Sequence, residues 1–225
     1  MATACLSTAT HESLDDQDST QPHILFILQD DLGFNDIGFT DTGSPSTPPE
    51  ASANISALAR EGLRLRQHYV HWHCAPTRRS LLTGRLPIHH GEALVPHDQD
   101  DIDLRWTWIA EKLNGVGYKS YWWGKAHIGY RSMAHLPTNH GFEQFYGFMD
   151  GSGNYSTLAR WNNSLPDHNN TVYSTQLFSE LTIDTIEAHD PSTPLFIYLS
   201  YQAVHGPLDL PPYDGGGTCN VNKPE

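Results

Sequence analysis

The sequence predicts an α/β fold, a mixed, largely parallel sheet flanked by helices, and three observations carry that prediction. The segments HILFILQ (23–29) and LFIYLS (195–200) are apolar at nearly every position, as strands covered on both faces are. Amphipathic stretches that end in glycine lie between the apolar segments, which is how helices stop. A third candidate strand, KSYWW (119–123), sits among those stretches, so strands and helices alternate along the chain.

Each element has its own justification. HILFILQ runs into the turn-rich loop DDLGFNDIGFTDTGSPSTPP. A helix is predicted over 51–61 with Gly62 as its stop, and the alternation in LRLRQHYV predicts a strand over 63–70. A short helix over 77–83 ends at Gly84, and another over 104–114 closes at Gly115 or Gly117. Gly124 opens the loop GKAHIG after the KSYWW strand. Residues 130–172 are polar and aromatic-rich without a clear period. An amphipathic helix follows over 174–189, and Pro194 introduces LFIYLS. The closing DGGGTCNVNKPE offers no packing element.

The 225 residues suffice for one sizeable domain, and 38% hydrophobic content with 18 Gly and 15 Pro suits a loop-rich globular chain. A formal charge of −13, with no basic stripe or lysine-rich tail, argues against a nucleic-acid partner. It leaves room for an anionic substrate, because a site answers to its local charge. No apolar run is long enough for a membrane span. Cys5, Cys74 and Cys219 make an odd count, which indicates no disulfide framework. Residues 1–20 lack a basic n-region and a continuous apolar h-region, and read as a disordered, acidic, Ser/Thr-rich leader. Asn-x-Ser/Thr triplets begin at Asn54, Asn154, Asn162 and Asn169, the last three close together.

The three apolar strands each run into a polar cluster: Asp30-Asp31, then Lys125 and His127, then His205. Ligands of open α/β sheets bind beyond the carboxyl ends of the strands, so parallel strands would bring these groups to one edge. Adjacent carboxylates repel unless a counter-charge relieves them, and an oxygen-bound divalent cation would do so; two solvated turn aspartates are the plain alternative. Lys125 and His127 are two apart and would share a face in extended backbone, suiting an anion and a proton relay, or else they decorate a loop. Cys74 stands at a helix start with Pro76, Arg78 and Arg79 close by, a setting that favours anions. It could be a nucleophile with His71 or His73 as base, part of a His-x-His-Cys zinc site, or an inert thiol. No second Cys/His pair at zinc-ligand spacing supports the zinc reading.

CAPTRRSLLTGR (74–85) resembles the sulfatase signature, in which Cys-x-Pro-x-Arg directs oxidation of the cysteine to formylglycine. Position 77 is Thr where many members have Ser. QDDLG is similar to the family's metal-binding strand end, and GKAHIG to its Gly-Lys-Trp-His-Leu-Gly, with Ala126 in the tryptophan's place. LPTNHGFEQFYGFMDGSGNY and PLFIYLSYQAVHGPL match in the family's order, and the resemblance is nearest in style to arylsulfatase B-like members.

The resemblance implies an alkaline phosphatase/sulfatase-like fold and a sulfuric ester hydrolase acting on aryl or glycan sulfates. It implies formylglycine from Cys74 and a Ca²⁺ ion, with Mg²⁺ as the alternative, held by Asp30, Asp31 and residue 74. Arg78 would hold that assembly, Lys125 and His205 would bind sulfate, and His127 would take a proton. Implied partners are a sulfated small molecule or glycan and the formylglycine-generating enzyme; the implied destination is secreted or lysosomal. Members of this family are longer, with further metal ligands, another lysine and a smaller C-terminal domain supplied later. Residues 21–225 are therefore expected to be the N-terminal part of the catalytic domain, weakly active or inactive and poorly stable alone. The alternatives are a phosphodiester or phosphonate ester hydrolase of the same superfamily, and a non-catalytic remnant that binds sulfated glycans.

Overall fold

The computed structural model describes residues 21–38, 52–90 and 101–211. The leader over 1–20 and the segment after 211 lie outside the described residues. In chain order the elements are β1 (Ile24–Leu28), α1 (Ala53–Glu61), α2 (Cys74–Thr83), α3 (Ile109–Asn114) and β2 (Lys119–Lys125). They continue with β3 (Gln144–Phe148), β4 (Arg160–Asn162), β5 (Leu165–Asp167), α4 (Ser174–Ala188) and β6 (Leu195–Ser200). The sheet order is β1-β6-β2-β3-β4-β5. β1, β6, β2 and β3 run parallel, and β4 and β5 add an antiparallel ribbon. This is the mixed, largely parallel sheet that the sequence predicts.

The two-residue period of the strands sorts their side chains onto two apolar layers. One face carries Trp122, Phe145, Phe196 and Tyr198, covered by Leu82 of α2 and Ala110 of α3. The other carries Trp123, Tyr146, Phe148, Ile197 and Leu199, covered by Phe178 of α4. Ala126 is wholly buried in the first layer. β6 is buried at all six positions and has a parallel partner on each side, as its composition predicts. β1 differs. It pairs only with β6 at the sheet edge, and Leu25 and Ile27 are 47% and 45% exposed. Apolar composition demands cover, but no described element packs over that strand end to end.

Several boundaries move for local reasons. α2 starts at Cys74 rather than at 77, because Pro76 falls in the first turn, where its missing N–H has no intrahelical partner to lose. Thr77 Oγ1 donates to the His73 carbonyl at 2.9 Å within that turn, and Gly84, at φ 68°, closes the helix in the left-handed region. α3 begins at Ile109 rather than at 104: Glu111 turns back and its Oε2 accepts the Trp108 N–H at 2.6 Å. Residues 63–70 form no strand; they lie exposed, and their alternation joins no ladder of the described sheet. Conversely, the aperiodic stretch 130–172 contains β3, β4 and β5, of which the last two span three residues each, too short to show a period.

Gly124 decides the spacing of the central strands. Its φ is 118°, and a Cβ there would lie 1.9 Å from the Ser200 carbonyl oxygen of neighbouring β6. Gly124→Ala is expected to destabilise the fold by at least about 3 kcal/mol, combining left-handed strain with separation of β2 from β6. Urea unfolding would show this; a loss under about 1 kcal/mol, the middle of the range for point substitutions, would refute the close-packing argument.

Candidate active site

The parallel arrangement of β1, β6 and β2 carries their C-terminal ends to one edge, where Asp30, Lys125 and Ser200 meet. Asp30 is 4% exposed, and two cations share its carboxylate. Arg78 Nη2 lies 3.1 Å from Oδ1 and Lys125 Nζ 2.5 Å from Oδ2. Arg78 comes from the second turn of α2 and also donates from Nη1 to the Lys125 carbonyl at 3.0 Å and to Ser200 Oγ. Ser200 Oγ in turn donates to the Lys125 carbonyl at 2.8 Å. All three charged groups are buried, so their mutual pairing offsets the loss of hydration.

Cys74, the first residue of α2, faces His127: Sγ and Nδ1 are 2.8 Å apart. His127 follows the end of β2 in a left-handed turn, φ 48°. Lys125 and His127 therefore reach the same region through a turn, not by sharing a face of an extended strand. The partner of Cys74 is His127 rather than His71 or His73. Burial, chiefly, and the nearby positive charges of Lys125, Arg78 and Arg79 push the His127 pKa down to about 3. Its ring is thus neutral through the physiological range, with a lone pair available. Gly151 lies against this ring; a Cβ there would stand 2.8 Å from Cε1.

Asp31 is 58% exposed at the side chain, sits at φ 60°, and places Oδ2 3.7 Å from His205 Nε2. The structure therefore distributes the sequence-predicted residues over three neighbouring contacts: Asp30 with Arg78 and Lys125, Cys74 with His127, and Asp31 with His205. Asp30, Asp31 and Cys74 were expected to share a cation. They do not gather into one donor set, and among the described residues no group of three or more His, Cys, Asp or Glu side chains does. Sequence reasoning missed Ser200 and Tyr198, whose hydroxyl oxygens accept from the Arg78 guanidinium. The available signal was Ser200 itself, a hydroxyl closing a wholly buried apolar strand.

Cations, a neutral histidine and carboxylates gathered at the strand ends of an α/β sheet make a place where an oxyanion can be held. The chain belongs to the sulfatase family, whose model matches residues 22–223. Arylsulfatase J of Mus musculus is 36% identical over 209 residues, covering 86% of this chain and 34% of that protein. N-acetylgalactosamine-6-sulfatase of Homo sapiens is 31% identical, covering 83% of this chain and 40% of that protein. Among solved structures, that of Ps i-CgsB in complex with k-i-k-neocarrahexaose superposes with a TM-score of 0.73 at 28% identity. It covers 84% of this chain and 47% of that one, so the chain spans less than half the length of these relatives. No described helix is long and apolar enough to cross a membrane.

Proposed function

We propose that this chain carries the nucleophile-bearing part of a sulfatase that hydrolyses sulfate esters of sugars or aryl alcohols. The observation that carries the reading is the 2.8 Å approach of His127 Nδ1 to Cys74 Sγ, beside the buried Asp30–Arg78–Lys125 cluster. Residue 74 would be modified by a formylglycine-generating enzyme, and the hydrated aldehyde would supply an oxygen nucleophile that a thiol does not. His127, held neutral, accepts a proton at Nδ1 from the group on residue 74. Lys125 and Arg78 concentrate positive charge where negative charge develops on the sulfuryl oxygens. His205, whose Nε2 lies beside Asp31, binds sulfate and assists the departing alcohol.

A Ca²⁺ or Mg²⁺ ion is part of the same proposal. Asp30 and Asp31 bring the hard oxygen donors such ions take. Both Asp30 oxygens, however, already face cations, so the described residues make up only part of a coordination shell. When bound, the ion would polarise the sulfate oxygens. A sulfated glycan as substrate is in keeping with the carbohydrate named in the Ps i-CgsB complex, and a secretory or lysosomal destination with the exposed sequons at Asn154, Asn162 and Asn169.

The test is expression in a host that has the formylglycine-generating enzyme, with the tryptic peptide 67–78 weighed and aryl sulfate and aryl phosphodiester rates compared. An aldehyde at residue 74 and, however slow the turnover, a preference for sulfate over phosphodiester are expected, with both lost in Cys74→Ala. Faster phosphodiester cleavage would overturn the substrate class. An unmodified thiol with sulfated-polymer binding and no turnover would overturn the enzymatic reading.

A further inference from the structure

His205 lies on the loop that follows β6, and both flanks of that loop are pinned. On the inner flank the Asp30 N–H donates to the Ala203 carbonyl at 2.9 Å, and the Val204 N–H to the Asp30 carbonyl at 2.7 Å. On the outer flank stands Tyr155, 2% exposed, whose hydroxyl donates to the His205 carbonyl at 2.9 Å. The Tyr155 N–H also donates to Asp209 Oδ2 at 2.8 Å. Tyr173 stacks on Tyr155 with ring centroids 5.0 Å apart and planes at 17°, and donates its hydroxyl to the Asp209 carbonyl at 3.0 Å.

The tyrosine pair has its own brace. Arg160, on β4, is wholly buried, and its guanidinium donates from Nη2 to the Tyr155 and Val172 carbonyls at 2.9 and 2.6 Å. From Nη1 it donates to the carbonyl and Oδ1 of Asn170 at 3.1 and 2.9 Å. Burying a guanidinium is costly, and an apolar side chain would fill the space more cheaply. What the guanidinium does uniquely, through its planar fork of donors, is lock Tyr155 and the residue before Tyr173 to one rigid point.

We propose that Tyr155, stacked on Tyr173 and braced by Arg160, is a positioning residue that sets where His205 stands relative to the Asp30–Asp31 strand end. The proposal rests on the reading of His205 as a sulfate ligand given above. Burial pushes the Tyr155 hydroxyl up to about 12, so it remains a donor at every working pH. The aromatic stretch ending in GSGNY is thereby tied to the histidine loop, a connection that neither segment announces in sequence.

The test is Tyr155→Phe, which keeps the stack and deletes only the hydroxyl, read by hydrogen exchange and by turnover of an aryl sulfate. Amides of Val204 and His205 are expected to exchange about five- to tenfold faster, the factor one net hydrogen bond commands, with β4 and α4 unchanged. The KM for aryl sulfate is expected to rise by a similar factor with kcat little altered. Combined with His205→Ala, the variant adds nothing to the loss caused by His205→Ala alone. Unchanged exchange at 204–205, an equal rise throughout the domain, or additive losses in the double variant would each overturn the proposal. Faster cleavage of an aryl phosphodiester than of the aryl sulfate would defeat the functional reading, and the exchange result would decide the positioning whatever the turnover.

Discussion

Asp30→Asn is expected to lower the unfolding free energy by about 3–5 kcal/mol, the cost of removing one partner from a buried ionic cluster. Arg78 and Lys125 are 1% and 0% exposed, and both point at the Asp30 carboxylate. A neutral amide leaves two buried positive charges without a counter-charge, and its NH₂ group faces donors where an acceptor was needed. Urea unfolding followed by the fluorescence of buried Trp122 and Trp123 reads the loss. Asp30→Asn with Lys125→Met should recover part of it, since methionine fills the lysine's space without a charge. A loss below about 1 kcal/mol, as exposed pairs give, would mean that the cluster is not what holds β1 and β2 together at this edge.

His127→Gln carries the second large effect, on both turnover and pH dependence. If Nδ1 takes the proton from residue 74, kcat should fall about 10²- to 10⁴-fold, the range for lost general base catalysis. The pH effect follows from the imidazole's environment. Its pKa is near 6.5 in the unfolded chain and is pushed down to about 3 in the fold, first by burial and then by Lys125, Arg78 and Arg79. Between those values the unfolded chain binds a proton that the folded chain refuses, so this contribution is complete above about pH 6.5 and is lost as pH falls toward 3. The slope approaches about 1.4 kcal/mol per pH unit within that window. His127→Gln should remove it, leaving the variant relatively more resistant to acid than to denaturant at neutral pH. Identical acid-unfolding profiles for the two proteins would refute the depressed pKa. In the active protein, no ionisation of His127 should appear in the rate profile between pH 5 and 8.

How much of this was legible beforehand depended on the range of the forces involved. β6 and β2 announced themselves because a strand buried on both faces needs apolar side chains at consecutive positions, a purely local signature. α4 announced itself through its period, and α1 and α2 through their closing glycines. The meeting of Asp30 and Lys125 was also within reach, since parallel strands must end together and ligand sites gather there. The strand over 63–70 failed because alternation states a capacity to pair, and pairing needs a neighbour that no local pattern supplies. β1 read as fully covered for the same reason; composition records the need for cover, not its provider.

The sequence by itself determined the α/β frame, the identity of the groups at the strand ends, and membership of the sulfatase family, because each is written in short patterns of residue type. Only the tertiary structure decided which group meets which. It pairs Asp30 with Arg78 and Lys125, Cys74 with His127, and His205 with Asp31 and the Tyr155 hydroxyl. Those pairings join residues 48, 95, 53 and 50 positions apart in the chain at Asp30–Arg78, Asp30–Lys125, Cys74–His127 and Tyr155–His205. The physical reason is that electrostatic and hydrogen-bond partners are selected by distance in space, and that distance exists only after the apolar layers have stacked the strands.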